Sequence, residues 1–273
     1  MGDLDNTVAL VTGAARGQGR SHAVALATEG ADVIAVDLCA DVGSIPYPLG
    51  TKAELDETVD LVRATGRRAA AIVADVRDLD SLRSGVQAGI EELGDLDIVV
   101  ANAGVVAIGV KDPLDEQLYR DIVDTNLNGV WHTIAATVPS IIRKGRGGSI
   151  ILISSAQGLV GRGGDGSAAM FAYAAAKHGV VGLMRSAANA YADHHIRVNS
   201  VHPTGVPTPM VINEHIARLL QENPNSASLS GNLLPVPYVE VEDVSNAVVW
   251  LAGSKSRYVT GTTLPVDAGH VVM

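Results

Sequence analysis

Val8-Ala9-Leu10-Val11-Thr12-Gly13-Ala14-Ala15-Arg16-Gly17-Gln18-Gly19 passes from an apolar β pattern, through a glycine-spaced turn, into a helical pattern. The apolar run has no polar alternation, as expected of a strand covered on both faces. Outward from this stretch the same unit recurs. Apolar runs at 7–12, 32–37, 69–74, 96–101, 149–154, 196–201 and 262–266 alternate with helical patterns at about 17–29, 52–65, 78–93, 115–143, 170–192 and 242–252. This alternation predicts an α/β fold: a doubly wound parallel sheet of Rossmann type, flanked by helices. No linker-like or low-complexity stretch divides residues 1–273, which predicts a single domain.

Composition narrows the partners. The 273 residues are 47% hydrophobic but only 3% aromatic, so Ala, Val, Leu and Ile must build the core. The net charge of −10, without any Lys/Arg cluster, argues against nucleic acid or an anionic membrane surface as partner. The single cysteine, Cys39, permits no internal disulfide and suits a reducing cytoplasm. The start Met1-Gly2-Asp3-Leu4-Asp5-Asn6 lacks a basic, apolar leader, and Asn6 stands where a myristoylation signal needs Ser or Thr. No apolar stretch is long enough to span a bilayer, so a soluble, cytoplasmic protein is expected.

Three irregular segments interrupt the rhythm. Residues 39–51 carry Pro46 and Pro48, residues 158–169 are glycine-rich, and residues 203–238 are rich in Pro, Asn and Ser with a short helical pattern near 211–221. Irregular segments of this length in a compact domain are more often functional loops or lids than accidents, although plain surface loops remain the alternative.

The turn after the first strand is suited to phosphate. Glycines bring backbone N–H groups close to a pyrophosphate at the positive end of the following helix, which nominates Gly13, Arg16, Gly17, Gln18 and Gly19. Asp37 ends the second strand, where a carboxylate can accept hydrogen bonds from both hydroxyls of an adenosine ribose. It would also repel a 2′-phosphate, favouring NAD over NADP, while the Arg16 guanidinium would favour the opposite choice. Asp75-Val76 and Asn102-Ala103-Gly104 close the third and fourth strands and should face the same crevice.

These motifs, with Asn126, Ser155 and Tyr173-Ala-Ala-Ala-Lys177, make the chain resemble the short-chain dehydrogenase/reductase family from about residue 6 to its end. The resemblance implies a catalytic tetrad of Asn126, Ser155, Tyr173 and Lys177. Tyr173 and Lys177 lie one helical turn apart. A nearby ammonium should lower the phenol pKa from about 10, letting Tyr173 take the proton of an alcohol as hydride leaves for nicotinamide. Lys177 should also touch the nicotinamide ribose. Ser155 would hold the substrate oxygen, and Asn126 would anchor a water joining Lys177 to solvent. Ser154 is the alternative serine, but Ser155 precedes Ala-Gln-Gly as the family's serine usually does.

The resemblance further implies that Val206 contacts the nicotinamide carboxamide through its backbone and Thr208 contacts phosphate. Two departures from the family stand out. Thr204 replaces a usual glycine, and Ser155 and Tyr173 are 18 residues apart where about 13 is common.

The 39–51 insertion, together with Leu234-Pro235-Val236-Pro237-Tyr238-Val239-Glu240 and Leu264-Pro265-Val266-Asp267, resembles the carveol-dehydrogenase-like, mycofactocin-coupled subgroup. That likeness implies a secondary or primary alcohol as substrate, a terpenoid among the candidates, and tightly bound NAD reoxidised by mycofactocin. It also implies a homotetramer built through the helices at 115–143 and 170–192. An exchangeable-cofactor carbonyl reductase is the first rival reading, and a non-catalytic nucleotide sensor the second. His194-His195 has no supporting ligand spacing, so no metal is expected. Trp131 and Trp250 read as core or interface packing residues.

Overall fold

In the computed structural model, residues 2–110, 112–161, 164–222 and 231–273 are described. Among the described residues seven strands form one sheet: β1 (Val8–Thr12), β2 (Asp32–Asp37), β3 (Ala69–Val73), β4 (Ile98–Ala101), β5 (Gly148–Ile153), β6 (Ile196–Pro203) and β7 (Thr263–Val266). Their order is β3-β2-β1-β4-β5-β6-β7, and every pairing is parallel. The expected doubly wound sheet is the observed fold. Its order reverses between β1 and β4, which opens a crevice at the carboxyl ends of the strands.

The helices are α1 (Gly17–Thr28), α2 (Lys52–Ala64), α3 (Leu79–Leu93), α4 (Glu116–Val123), α5 (Gly129–Lys144), α6 (Ala168–Ala190), α7 (Glu214–Glu222) and α8 (Val241–Ala252). Side chains alternate across the sheet. Leu10, Ile34, Val99 and Ile150 face one side, against Leu82 and Val86 of α3, Ile134 of α5 and Met184 of α6. Ala9, Val33, Val100 and Ile151 face the other, against Leu26 of α1, Leu55 of α2 and Val248 of α8. Burial on both faces is why the strands lack polar alternation. Each fully buried Leu or Ile contributes roughly 1.5–3 kcal/mol.

The pattern at 115–143 does not form one helix. A π-helical turn at Asp124–Asn128 separates α4 from α5. Its wider hydrogen-bond ring admits an extra residue, a device common at functional sites. Asn126 sits in that turn, and its amide is used at both ends by one backbone unit. Oδ1 accepts from Val105 N at 2.8 Å, and Nδ2 donates to Val105 O at 2.7 Å. Side-chain hydrogen bonding across to the β4 loop offsets the irregular backbone, a tertiary effect that periodicity does not carry.

Both tryptophans stand at the surface, Trp131 47% and Trp250 39% exposed, so neither is a core residue.

Candidate active site

A cleft at the carboxyl ends of β1 to β6 gathers most of the expected residues. Its lining includes Gly13, Arg16, Gly17, Gln18, Gly19, Asp37, Asp75, Val76, Asn102, Ala103, Gly104, Tyr173, Lys177 and Thr208. Asn126, Ser155 and Val206 are not among the residues that line it; the Val206 side chain is buried in the core cluster of β1, α1 and α8. The β1 and β4 ends are clamped together by Thr12, whose hydroxyl accepts from Asn102 N at 3.0 Å and Ala103 N at 3.1 Å.

The turn into α1 suits a phosphate. Its N-cap residue, Arg16, makes no side-chain cap, and Gly17, Gln18 and Gly19 at the positive end of the helix line the cleft. Gln18 Oε1 is buried there with no partner, and a methyl on Gly17 would lie 3.3 Å from the Thr208 γ-methyl. A dinucleotide fits this cradle. At the end of β2, Asp37 Oδ2 accepts from Ala15 N at 3.0 Å and Oδ1 from Cys39 N at 3.1 Å. Each oxygen keeps a further lone pair, and Asp37 lines the cleft. The Arg16 guanidinium is engaged elsewhere: it donates to Pro48 O and lies 3.7 Å from Glu54. Arg16 therefore ties down the insertion.

Residues 39–51 fold back across the cleft and pack on its far side. Cys39 opens the segment with φ 55°, a left-handed backbone that L side chains rarely adopt. Val42, Ile45 and Tyr47 are buried with Val105, Leu118, Ile122 and Ala172, and Tyr173 and Met210 pack against the same cluster. Ser44 donates to Asp121 Oδ2 at 2.7 Å; the other oxygen of Asp121 takes Arg77, which also pairs with Asp75. Sequence alone does not bring Tyr47 to the site, because proximity between the β2 and β4 ends is a tertiary fact. The two prolines around it were the only local signal.

The reactive side chains converge around the start of α6. Ser167 caps this helix by accepting from Met170 N at 3.2 Å, and Asp165 accepts from Ser167 in turn. Of the glycine-rich segment, Arg162 and Gly163 lie outside the described residues. The Ser155 side chain is a polar neighbour that favours the ionised Tyr173 phenol, and its Oγ accepts from Gln157 N at 3.1 Å. Ser154 points the other way and donates to Lys177 O at 2.9 Å, so its hydroxyl is consumed by α6. Gly158 allows that close approach, since a Cβ there would sit 2.6 Å from Lys177 O.

Lys177 is buried, donates from Nζ to Ile153 O at 3.0 Å, and lies 5.7 Å from the Tyr173 ring centroid. Burial lowers its pKa to about 8. The expected lowering of the Tyr173 pKa by this ammonium is not what the structure shows. Burial drives the phenol upward, and the hydrogen bond with Ser155 is what opposes it. The physical reason is that Lys177 is itself desolvated and directed at a backbone carbonyl, while apolar neighbours surround the tyrosine.

The departure at Thr204 is accommodated without strain. Its backbone is not left-handed, and its hydroxyl donates to Asn232 Oδ1 at 3.0 Å, tying the end of β6 to the 231–238 segment.

A model of the short chain dehydrogenase family matches residues 7–218. The chain belongs to the short-chain dehydrogenase family. It is 51% identical to (-)-trans-carveol dehydrogenase of Rhodococcus erythropolis, covering 98% of this chain and 99% of that one. The crystal structure of carveol dehydrogenase from Mycobacterium avium in complex with NAD superposes with a TM-score of 0.93 at 48% identity, covering all of both chains. A short chain dehydrogenase from Mycobacterium paratuberculosis bound to NAD gives a TM-score of 0.91 at 45% identity, again over the full length of both. The likeness to the carveol dehydrogenase subgroup is thereby shown as well as the family.

Proposed function

We propose that this short-chain dehydrogenase oxidises an alcohol, of the carveol kind, to the carbonyl with NAD as hydride acceptor. The observation that carries the reading is that Tyr173 and Lys177 line one cleft with Asp37, with the Ser155 side chain acting on the Tyr173 phenol. NAD, when bound, would take the hydride from the alcohol carbon. The chain's residues do the rest. Gly17, Gln18 and Thr208 would hold the phosphates, and Asp37 would accept from the adenosine ribose hydroxyls. Ser155 would orient the substrate oxygen, and Tyr173 would accept its proton in the phenolate form, which burial disfavours and the Ser155 side chain favours. Lys177, a buried amine whose pKa of about 8 lets it change charge near neutrality, would pass that proton on from Tyr173 towards solvent. Asn126 would keep the β4 loop in place through Val105.

The 39–51 segment supports a cofactor that does not exchange during turnover. It is fastened to the cleft by Arg16, Ser44 and Tyr47, so dissociation would require those contacts to open. Reoxidation would then need a carrier, for which the subgroup resemblance suggests mycofactocin. Purifying the protein without added cofactor and then supplying carveol tests this. One stoichiometric burst of bound NADH, with turnover only when an artificial acceptor is added, is the expected result. Steady reduction of free NAD would restore the exchangeable-cofactor reading.

A homotetramer and a cytoplasmic location belong to the same proposal. Tyr119 on α4, Trp131 on α5 and Phe171 on α6 are large apolar side chains left exposed, as subunit contacts require. Light scattering of the purified protein checks the assembly.

A further inference from the structure

His202 is fully buried at the end of β6, behind the reactive serine. Its two nitrogens are both engaged. Nδ1 lies 2.8 Å from the Ser155 carbonyl oxygen, and Nε2 lies 2.8 Å from Ser200 Oγ. A carbonyl can only accept, so Nδ1 carries the hydrogen. In the neutral ring Nε2 is then the acceptor and Ser200 the donor. Burial holds the ring neutral, with its pKa lowered to about 4. The network has one orientation.

The location explains why a side chain is used there. The β5–β6 ladder ends where Ser154 N donates to Val201 O at 2.8 Å. Pro203 follows on β6 and has no N–H with which to extend it. Ser155, in extended backbone with φ −166° and ψ 161°, therefore leaves the sheet with its carbonyl held by an imidazole. Its hydroxyl meets Tyr173 on the other side.

We propose that His202 is a positioning residue: by donating Nδ1–H to the Ser155 carbonyl, it holds the Ser155 hydroxyl against Tyr173. This rests on the alcohol-oxidation reading of the site. The charged and titratable groups facing the imidazole are Lys177 and His178 of α6 and Asp267 beyond β7. Those near the phenol are Lys177 and Tyr47, with Ser155 as hydrogen-bond partner. Loss of the imidazole removes no charge from this set near neutrality, because the ring is already neutral. Any rise in the Tyr173 pKa then reports a displaced Ser155.

The test compares His202→Leu, His202→Asn and His202→Gln. Asn places an N–H at the same reach from Cβ as Nδ1, whereas Gln places it one bond farther and Leu has none. Tyr173 is titrated by NMR of ¹³C-tyrosine-labelled protein, its signal assigned by its absence in Tyr173→Phe. In His202→Leu the Tyr173 pKa is expected to rise by about one to two units, as for loss of one hydrogen bond to a charged group. The kcat for alcohol oxidation is expected to fall roughly 10- to 100-fold, with the Kd for NAD unchanged within a factor of about three. His202→Asn should restore both quantities, and His202→Gln should not.

An unchanged Tyr173 pKa in His202→Leu, or Asn no better than Gln, overturns the proposal. If His202→Leu does not fold, the contrast between Asn and Gln decides alone. The titration needs no substrate. If the wild-type protein oxidises no alcohol, the functional reading fails, and the NMR result still settles the role of His202.

Discussion

The Tyr47 hydroxyl accepts a hydrogen bond from the Val106 amide at 3.3 Å, joining a segment that leaves β2 to the loop that leaves β4. The dinucleotide cleft lies between those two points, so the contact spans it. The tyrosine is buried, and its pKa is pushed up to about 12, which keeps it a neutral phenol throughout the working range.

Tyr47→Phe should therefore accelerate loss of bound NAD by roughly 2- to 10-fold, the worth of one hydrogen bond. Tyr47→Ala should accelerate it further, because the ring also leaves the cluster with Ile45 and Met210. NAD content after timed dialysis is the measurement. Retention equal to wild type in both variants would show that the segment does not hold the cofactor.

Asp37→Ala should lower the preference for NAD over NADP roughly 10- to 100-fold, as expected for charge-assisted hydrogen bonds and a removed repulsion. Because Asp37 also accepts from Ala15 N and Cys39 N, the variant should lose some affinity for both dinucleotides. Calorimetric titration with each dinucleotide separates the two effects. Tighter NADP than NAD binding by the unaltered protein would mean that Arg16 outweighs Asp37 despite its contacts with Pro48 and Glu54.

Tyr173→Phe should reduce turnover ~10²–10⁴-fold while leaving NAD affinity nearly unchanged. Lys177→Ala should damage both, since the buried amine lies beside the tyrosine ring and lines the cleft. Steady-state kinetics with bound NAD quantified beforehand distinguishes the two patterns. Activity of Tyr173→Phe within threefold of wild type would remove Tyr173 as the proton acceptor.

Stability should fall on acidification through two buried histidines. Burial lowers His22 to about 3 and His202 to about 4, and His22 Nε2 has no partner to receive a proton's hydrogen bond. Below pH 6.5 the unfolded chain takes up protons that the folded chain refuses, so stability is lost as pH falls from 6.5 toward 4. At pH 5 each group should cost about 2 kcal/mol relative to pH 8. Urea unfolding at the two pH values measures the loss, and His22→Leu should reduce it by about half. An acid loss unchanged in that variant would place the effect elsewhere.

Much of this protein is fixed by local sequence. The doubly covered strands are legible because burial on both faces leaves no place for polar side chains, as in Val8–Thr12 and Gly148–Ile153. The glycine turn, Asp37, and the one-turn spacing of Tyr173 and Lys177 are equally local. Other features depend on distant partners. Nothing in Thr125-Asn126-Leu127 announces a π-helical turn, because the Val105 backbone that favours it arrives from another strand. Tyr47 belongs to the cleft only because β2 and β4 lie on either side of β1. The direction of the Tyr173 pKa also depends on tertiary structure: sequence spacing supplies the ammonium, but the apolar enclosure that drives the phenol upward is assembled from residues far apart in the chain. Local pattern sets which elements form, because periodicity and turn chemistry act over a few residues. Desolvation and long-range hydrogen bonding act between segments, and only the packed chain decides them.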